Sequence, residues 1–404
     1  MRIARRAAVS AVVLGTLAAC GGGEAPEPAG AALDEVGATP GATLFQRKLG
    51  GAGDEWGLGM AVGADGSVLA TSAIGGSRYT PQWLGVTLLD ASGRTRWAHA
   101  AAGPGTDVEV VGVARSPLGN GFLAVNVRGG GTIDMGGGPL ASGVVKLTPA
   151  GNVAWQRTAG QEVTSLAVDG HGAALLGIID GAPRLGKVRW DGTWLWTQAV
   201  PGEPVSGRPV VAAGPGDRVL VANELTLSAL PPGGGAPLWS VSMLAVAGGF
   251  EQLAVAPDGT VIAAGWFEFS ITFPGEPDWT LEEWGPGPQR WVAAVSADGH
   301  PRWLSNRFGG PLAVDRAGRV LLLEQRGLPC GDTVDERALD GFDAWERPLA
   351  TCPAGAEHGA RGVAISAAPG GGVWVQGEAD GPFDPGRGRL SPSGSDWFVA
   401  RIAP

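Results

Sequence analysis

The chain is short of the residues that most chemistry needs. Its 404 residues include three cysteines, four histidines, one tyrosine and only three lysines. Few lysines and a formal net charge of −10 argue against a nucleic-acid partner, because neutralising phosphates takes clustered Lys and Arg. None of Lys48, Lys146 and Lys187 follows a P-loop spacing, no serine sits in a G-x-S-x-G elbow, and H-E-x-x-H is absent. His99, His171, His300 and His358 lie far apart with no ligand-spaced neighbour, so neither a metal nor a cofactor is expected. Long helical patterns are missing as well.

What is present begins with an address. MRIARR is followed by the thirteen-residue apolar segment AAVSAVVLGTLAA and then CGGG. A charged head, a short apolar segment and a small-residue cut form a signal peptide, here residues 1–19, and a spanning helix would need about 20 apolar residues. Leu17-Ala18-Ala19-Cys20-Gly21 resembles the bacterial lipobox, in which the cysteine is acylated and becomes the first mature residue. That resemblance implies a membrane anchor at Cys20. Gly21 in place of the aspartate associated with inner-membrane retention in enteric bacteria implies the outer membrane, with the domain on its periplasmic or surface-exposed side. Arg5-Arg6 stands in a context that poorly matches twin-arginine export. Residues 20–42, rich in Gly, Pro and Ala and without periodicity, form a flexible tether that spans on the order of 25 Å as a coil.

From residue 43 to 404 the glycines, 70 in the whole chain, and prolines, 31, recur in turns between short apolar runs. Seven segments read as strand, tight turn, strand: 60–72, 112–126, 166–178, 210–223, 253–265, 312–324 and 362–377. A second hairpin follows in most of them, as in VTLLDASGRTRWAHA and VVKLTPAGNVAWQRTAG, while the sixth unit ends more loosely in GFDAWERPLA. The seventh ends with WFVARIAP and lacks a fourth strand. LFQRKLGG, residues 44–51, matches the outer strand WQRTAG in register, so the N-terminus is expected to pair beside the C-terminal strand and close a ring. The fold class is therefore all-β, a seven-bladed β-propeller of four-stranded blades closed by an N-terminal strand.

The units resemble the bacterial β-propeller repeat called SBBP, most clearly in LGGAGDEWGLGMAVGADGSVLATSAIGG and DWFVARI, with the paired insertions GTIDMGGGPLASG and GPFDPGRGRLSPSG also typical. The resemblance covers nearly all of the domain, departs in blades three, four and six, and implies architecture more than activity. Trp97, Trp155, Trp196, Trp239, Trp303 and Trp345 recur at one repeat position and are expected to pack blade against blade. Their hairpins resemble the tryptophan-docking motif of quinoprotein dehydrogenases, without the quinone pocket or calcium site such an enzyme requires.

Two insertions stand out. Residues 273–291, FPGEPDWTLEEWGPGPQRW, place Trp279 and Trp284 off the repeat register among Pro, Gly and acids, as an exposed loop with candidate anchors for a partner. Packing back on their own blade is the competing reading. The sixth unit sets Asp332, Asp335, Glu336, Asp340 and Asp343 between Cys330 and Cys352. With Cys20 committed to lipid, these two cysteines are expected to form one disulfide in an oxidising envelope, stapling a solvated acidic loop whose spacing is not that of an EF-hand.

The reading is an outer-membrane-anchored propeller, a monomer, that binds or scaffolds an unidentified envelope protein or glycan and is not an enzyme. The alternatives are a propeller enzyme, such as a lyase, hydrolase or quinoprotein, and a subunit of an envelope assembly machine. A known lipoprotein of the last kind is an eight-bladed propeller, which seven units do not match.

Overall fold

In the computed structural model, the structure describes residues 39, 41–50, 54–78, 80–102, 107–202, 207–273, 279–282, 287–306, 310–324, 332–337, 343–351 and 359–403. Cys20, Cys330, Cys352 and Trp284, together with residues 1–38, lie outside them. Seven antiparallel sheets follow one another along the chain; six are built of four strands in sequence order, with one small added strand in the fifth, and the seventh combines three such strands with one from the N-terminus. Their first strands are Glu55–Val62, Val108–Arg115, Glu162–Val168, Val210–Ala213, Leu244–Val255, Leu312–Val314 and Ala360–Ala367. Each touches the first strand of the next blade, and the seventh touches that of the first, so the ring is closed around these strands.

The second strands carry the core. Every residue of Gly121–Val127 and of Val373–Ala379 is buried, because blades stacked face to face leave neither side of the sheet in water. This is why second strands such as Val219–Asn223 and Val320–Glu324 read as apolar runs without alternation. The outer strand Trp194–Ala199 instead alternates half-buried and exposed residues, the pattern of a sheet edge that meets solvent. Between blades one and two, Leu69, Leu84 and Leu88 interlock with Leu123, Val125 and Val145, all fully buried. In five blades the first strand carries a bulge at one equivalent position, at Gly57/Gly59, Val110/Gly112, Val163/Ser165, Phe250/Gln252 and Gly362/Ala364. A bulge adds local twist, which the tightly curved inner wall of a propeller requires.

Neighbouring blades are also joined by polar pins. Asn126 of blade two donates to the Val163 carbonyl and accepts from the Val163 amide, each at 2.8 Å. Gln252 does the same between blades five and six, donating to Gly310 at 3.2 Å and accepting from Leu312 at 2.9 Å. Ser165 donates to the Pro209 carbonyl at 2.8 Å and accepts from the Val211 amide at 3.1 Å, tying blade three to blade four. Such side chains pair with backbone groups at the start of the next blade's first strand.

At the rim, the outer-strand tryptophan lies against the turn glycine of the next blade. Trp97, Trp155, Trp196 and Trp239 donate their indole N–H to the carbonyls of Pro149, Trp190, Pro232 and Ala297 at 2.9 to 3.4 Å. A Cβ at Gly192 would stand 2.9 Å from the Trp155 ring, and its φ of +88° is open to glycine and strained for other residues. Trp303 packs between blades five and six with Ala254, Leu312 and Leu322. The repeated tryptophans with described side chains are thus packing groups between blades.

The seventh blade is completed by the N-terminus. Thr43–Lys48 pairs antiparallel with Asp396–Ile402, from Thr43 opposite Ile402 to Lys48 opposite Phe398. Phe45 takes the place of the rim tryptophan, so close to Gly93 that a Cβ there would stand 2.2 Å from its ring. Gln46 donates to the Gly388 carbonyl as Gln156 of blade two donates to Gly138. The match between LFQRKLGG and WQRTAG therefore extends to side-chain contacts. The two paired insertions share an architecture too: Asp134 accepts from the amides of Gly136 and Gly138, and Asp384 from those of Gly386 and Gly388.

Two expectations need correction. The acidic segment of blade six is not a loop throughout, since Thr333–Arg337 and Asp343–Pro348 are its third and fourth strands. Asp332 is buried at 2% exposure and accepts from the Gly362 amide of blade seven at 2.7 Å, so it is a pin between blades and not a solvated acid. The blade-five insertion likewise contains a short strand, Thr280–Glu282, and the beginning of Gln289–Val295.

Two predictions follow from closure and from the turns. Lys48 bonds the buried Asp396 carboxylate at 3.0 Å, which also accepts from the Ser393 amide at 2.8 Å. Lys48→Met should cost about 3 kcal/mol in urea unfolding, because the buried charge loses its cation. In the turns, the Thr260 amide holds the Asp258 carboxyl below its ordinary 3.8, and the Ser296 hydroxyl does so for Asp298. At Asp65 and Asp90 burial acts upward, but bonds from Ser67 and Ser92 outweigh it. These acids stay ionised in the fold where the unfolded chain already binds protons. Their stabilisation is complete above the unfolded value and is lost as pH drops through the lower folded values, so the urea midpoint should begin to fall below about pH 4.

Candidate functional site

Blade five departs from the ring. Its first two strands, Leu244–Val255 and Val261–Thr272, have 12 residues each and run past the blade as a hairpin, paired out to Leu244 opposite Thr272. Thr280–Glu282 adds a third strand to the extension, pairing with Ser270–Thr272. The extension is rooted in the blade core through Phe267, Ile271, Phe273 and Trp291, all buried to 1% or less. Trp291 donates its indole N–H to the Trp266 carbonyl at 3.1 Å, which fixes the base of the hairpin.

One side of this extension is apolar and faces water. Leu244, Val246 and Phe269 are 61%, 75% and 57% exposed. Phe269 also has φ of +67°, a conformation that costs an L-residue roughly 1–2 kcal/mol, and it sits where the strand register slips. A bulky apolar side chain held out by strained backbone is a feature that packing does not explain. Trp279 belongs to the same extension but is partly buried, set edge-on to Phe273 with centroids 6.4 Å apart and planes at 78°. Trp284 falls outside the described residues.

Sequence reasoning passed over Leu244, Val246 and Phe269. The alternation of Phe267, Phe269, Ile271 and Phe273 was the available signal, and it marks a strand longer than its counterparts in the other blades.

The face opposite the inner-hairpin turns carries ion-pair networks. Arg128 reaches Glu109 at 2.9 Å and Glu162 at 3.6 Å, while Arg208 reaches Glu162 at 2.6 Å and Glu109 at 3.8 Å. Between blades seven and one, the buried Glu378 accepts from both Arg78 and Arg361 at 2.6 Å. On the turn face, Asp169, His171 and Asp217 bring donor atoms within 4.8 Å of one another, the nearest approach to a metal cluster among the described residues. Lys187 already neutralises Asp169 at 2.9 Å, with both side chains buried, and Asp217 is engaged by the Gly170 amide and the His171 ring. The Asp217 bonds join blades three and four, and the Lys187–Asp169 pair lies within blade three. Among the described residues no helix is long and apolar enough to cross a membrane.

No protein-family model and no curated protein sequence matches the chain. Solved structures do. A catalytically inactive virginiamycin B lyase from Staphylococcus aureus with quinupristin has 11% identity and a TM-score of 0.55, over 88% of this chain and 98% of that one. The selenomethionine form of the same lyase gives 11% and 0.53 over the same shares. BamB from Moraxella catarrhalis has 14% identity and a TM-score of 0.41 over 85% of each chain.

If Trp279 is held as described, Trp279→Ala should lower stability by about 2 kcal/mol in urea unfolding, because the ring fills space against Phe273. An exposed anchor would lose almost nothing. At identities this low, what the chain shares with the lyase is the fold alone, and the fold of this chain is a seven-bladed β-propeller.

Proposed function

We propose that the protein is a lipid-anchored binding propeller of the bacterial cell envelope that captures a protein partner on the blade-five extension. The apolar side formed by Leu244, Val246 and Phe269 carries this reading, since exposed apolar side chains grouped on a rigid, strand-built projection offer contact area at low ordering cost. The signal peptide, Cys20 and the tether of residues 20–42 support an outer-membrane anchor. In that compartment Cys330 and Cys352 form a disulfide, so intact-mass analysis of the mature protein should find acyl groups on Cys20 and no free thiol at the other two. Two free thiols would count against both the bridge and the location.

The binding surface is tested by substitutions that leave the fold alone. Phe269→Gly relieves the positive φ and should hold or raise stability by about 1 kcal/mol, and Val246→Ser should change it by less than about 0.5 kcal/mol. Together they should reduce capture of the partner from envelope extracts at least tenfold, since an anchoring side chain contributes on the order of 2 kcal/mol. Undiminished capture by the stable double variant would reject this surface.

A further inference from the structure

A second site lies on the turn face, between blades four and five and away from the extension. Here a cleft of about 350 Å³ opens beside the rim tryptophan Trp239. Its origin is local. In blade four the inner-hairpin turn is Gly214-Pro215-Gly216-Asp217-Arg218, a short 3-10 turn in which Asp217 adopts φ of +59°. That backbone sends the Asp217 carboxylate toward blade three, where the Gly170 amide and His171 hold it. On the blade-five side the turn presents glycine, proline and the Arg218 side chain, and a Cβ at Gly216 would meet nothing within 4 Å.

The walls are of three kinds. Leu220 and Ala229, buried at 3% and 0%, form an apolar floor with Trp239. Arg218 is exposed and donates one N–H to the Ala297 carbonyl at 3.3 Å; no carboxylate among the described residues pairs with it. Asp258 accepts from the Thr260 amide and hydroxyl, each at 2.9 Å, and stands 3.6 Å from Arg302. Its carboxylate keeps lone pairs available, because a carboxylate offers about four acceptor sites. The Trp239 indole N–H is committed to Ala297 at 3.0 Å, so the ring contributes a surface and not a hydrogen bond.

A pocket of this size takes a small molecule. The geometry points to a zwitterionic α-amino acid with an apolar side chain: its carboxylate pairs with Arg218, its ammonium with Asp258, and its side chain rests on Leu220, Ala229 and Trp239. A guanidinium recognises a carboxylate in a planar, bidentate manner, and an ionised acid recognises an ammonium. Arg218 and Asp258 set a cation and an anion on the same apolar cleft, with Arg302 beside Asp258, and match a ligand that carries both charges. This site is independent of the partner surface, so either can fail without the other.

The test is titration calorimetry of the intact domain with L-leucine, its N-acetyl form, its amide and glucuronate, read in parallel through the Trp239 indole N–H signal in nitrogen-15 NMR. L-leucine should bind and shift that signal, and blocking either the ammonium or the carboxylate should weaken binding at least tenfold. Arg218→Ala and Asp258→Asn should each weaken it at least tenfold while leaving the free indole signal in place, since both residues are exposed. Absence of binding, equal binding of the blocked forms, indifference to both substitutions, or binding of glucuronate in preference to leucine would each overturn the assignment.

Discussion

The structure depends on one repeated contact: the aromatic side chain on an outer strand lands on the turn glycine of the following blade. Blades one to four meet it with their own outer strands, through Trp97, Trp155, Trp196 and Trp239. The seventh meets it only if the N-terminal strand lies beside Asp396–Ile402, which puts Phe45 over Gly93 of blade one. The strand pairing that holds Phe45 there joins opposite ends of the domain. Its entropic cost grows only logarithmically with loop length, whereas an open ring would leave two blade faces and a strand edge in water. The Lys48–Asp396 pair and the Gln46–Gly388 bond add register to this closure. They favour one alignment where a slip of one residue would turn every side chain to the wrong face.

A ring held this way is a rigid mount, and its departures from regularity are where function can be placed. Blade five departs by extending two core strands beyond the ring, with Phe267, Ile271 and Trp291 continuing the blade interior into the projection. The exposed residues at its end are thereby held by a packed base, and little conformational freedom is left to lose on binding. Blade four departs by one turn, in which Asp217 leans toward blade three and vacates the side facing blade five. Both irregularities border the same pair of blades. Elsewhere many polar groups between blades engage one another, as in the Arg128 and Arg208 networks and the Asp332 pin.

Much of the fold was legible because the repeat is carried by residues with fixed physical roles. Turn glycines, rim tryptophans and second-strand apolar runs each answer to one constraint, so seven copies could be counted and the missing strand identified by its Gln46-Arg47 likeness to Gln156-Arg157. Blade six was misread where charge conceals a strand: in Thr333–Arg337 a buried Val334 is flanked by acids, and no apolar run marks the segment. In blade five, Gly and Pro on both sides hid the three residues of Thr280–Glu282, which are a strand only because Ser270–Thr272 extends to meet them. The exposed patch was harder still. Leu244, Val246 and Phe269 read as core in a chain whose strands are largely apolar and buried, and only the three-dimensional length of the hairpin puts them in water. Asp217 gave no sign of its unusual backbone, because the direction of a turn is set by what it reaches in the neighbouring blade.

The claim that the blade-five extension is a partner surface is tested most directly by photo-crosslinking in intact envelopes. A photoreactive residue is placed at position 246 or 269, and at Leu118 as an equally open control, 78% exposed on a turn of blade two. The account predicts one discrete protein adduct at 246 and 269 and none at 118. Adducts of equal yield at all three positions, or none at 246 and 269, would contradict it.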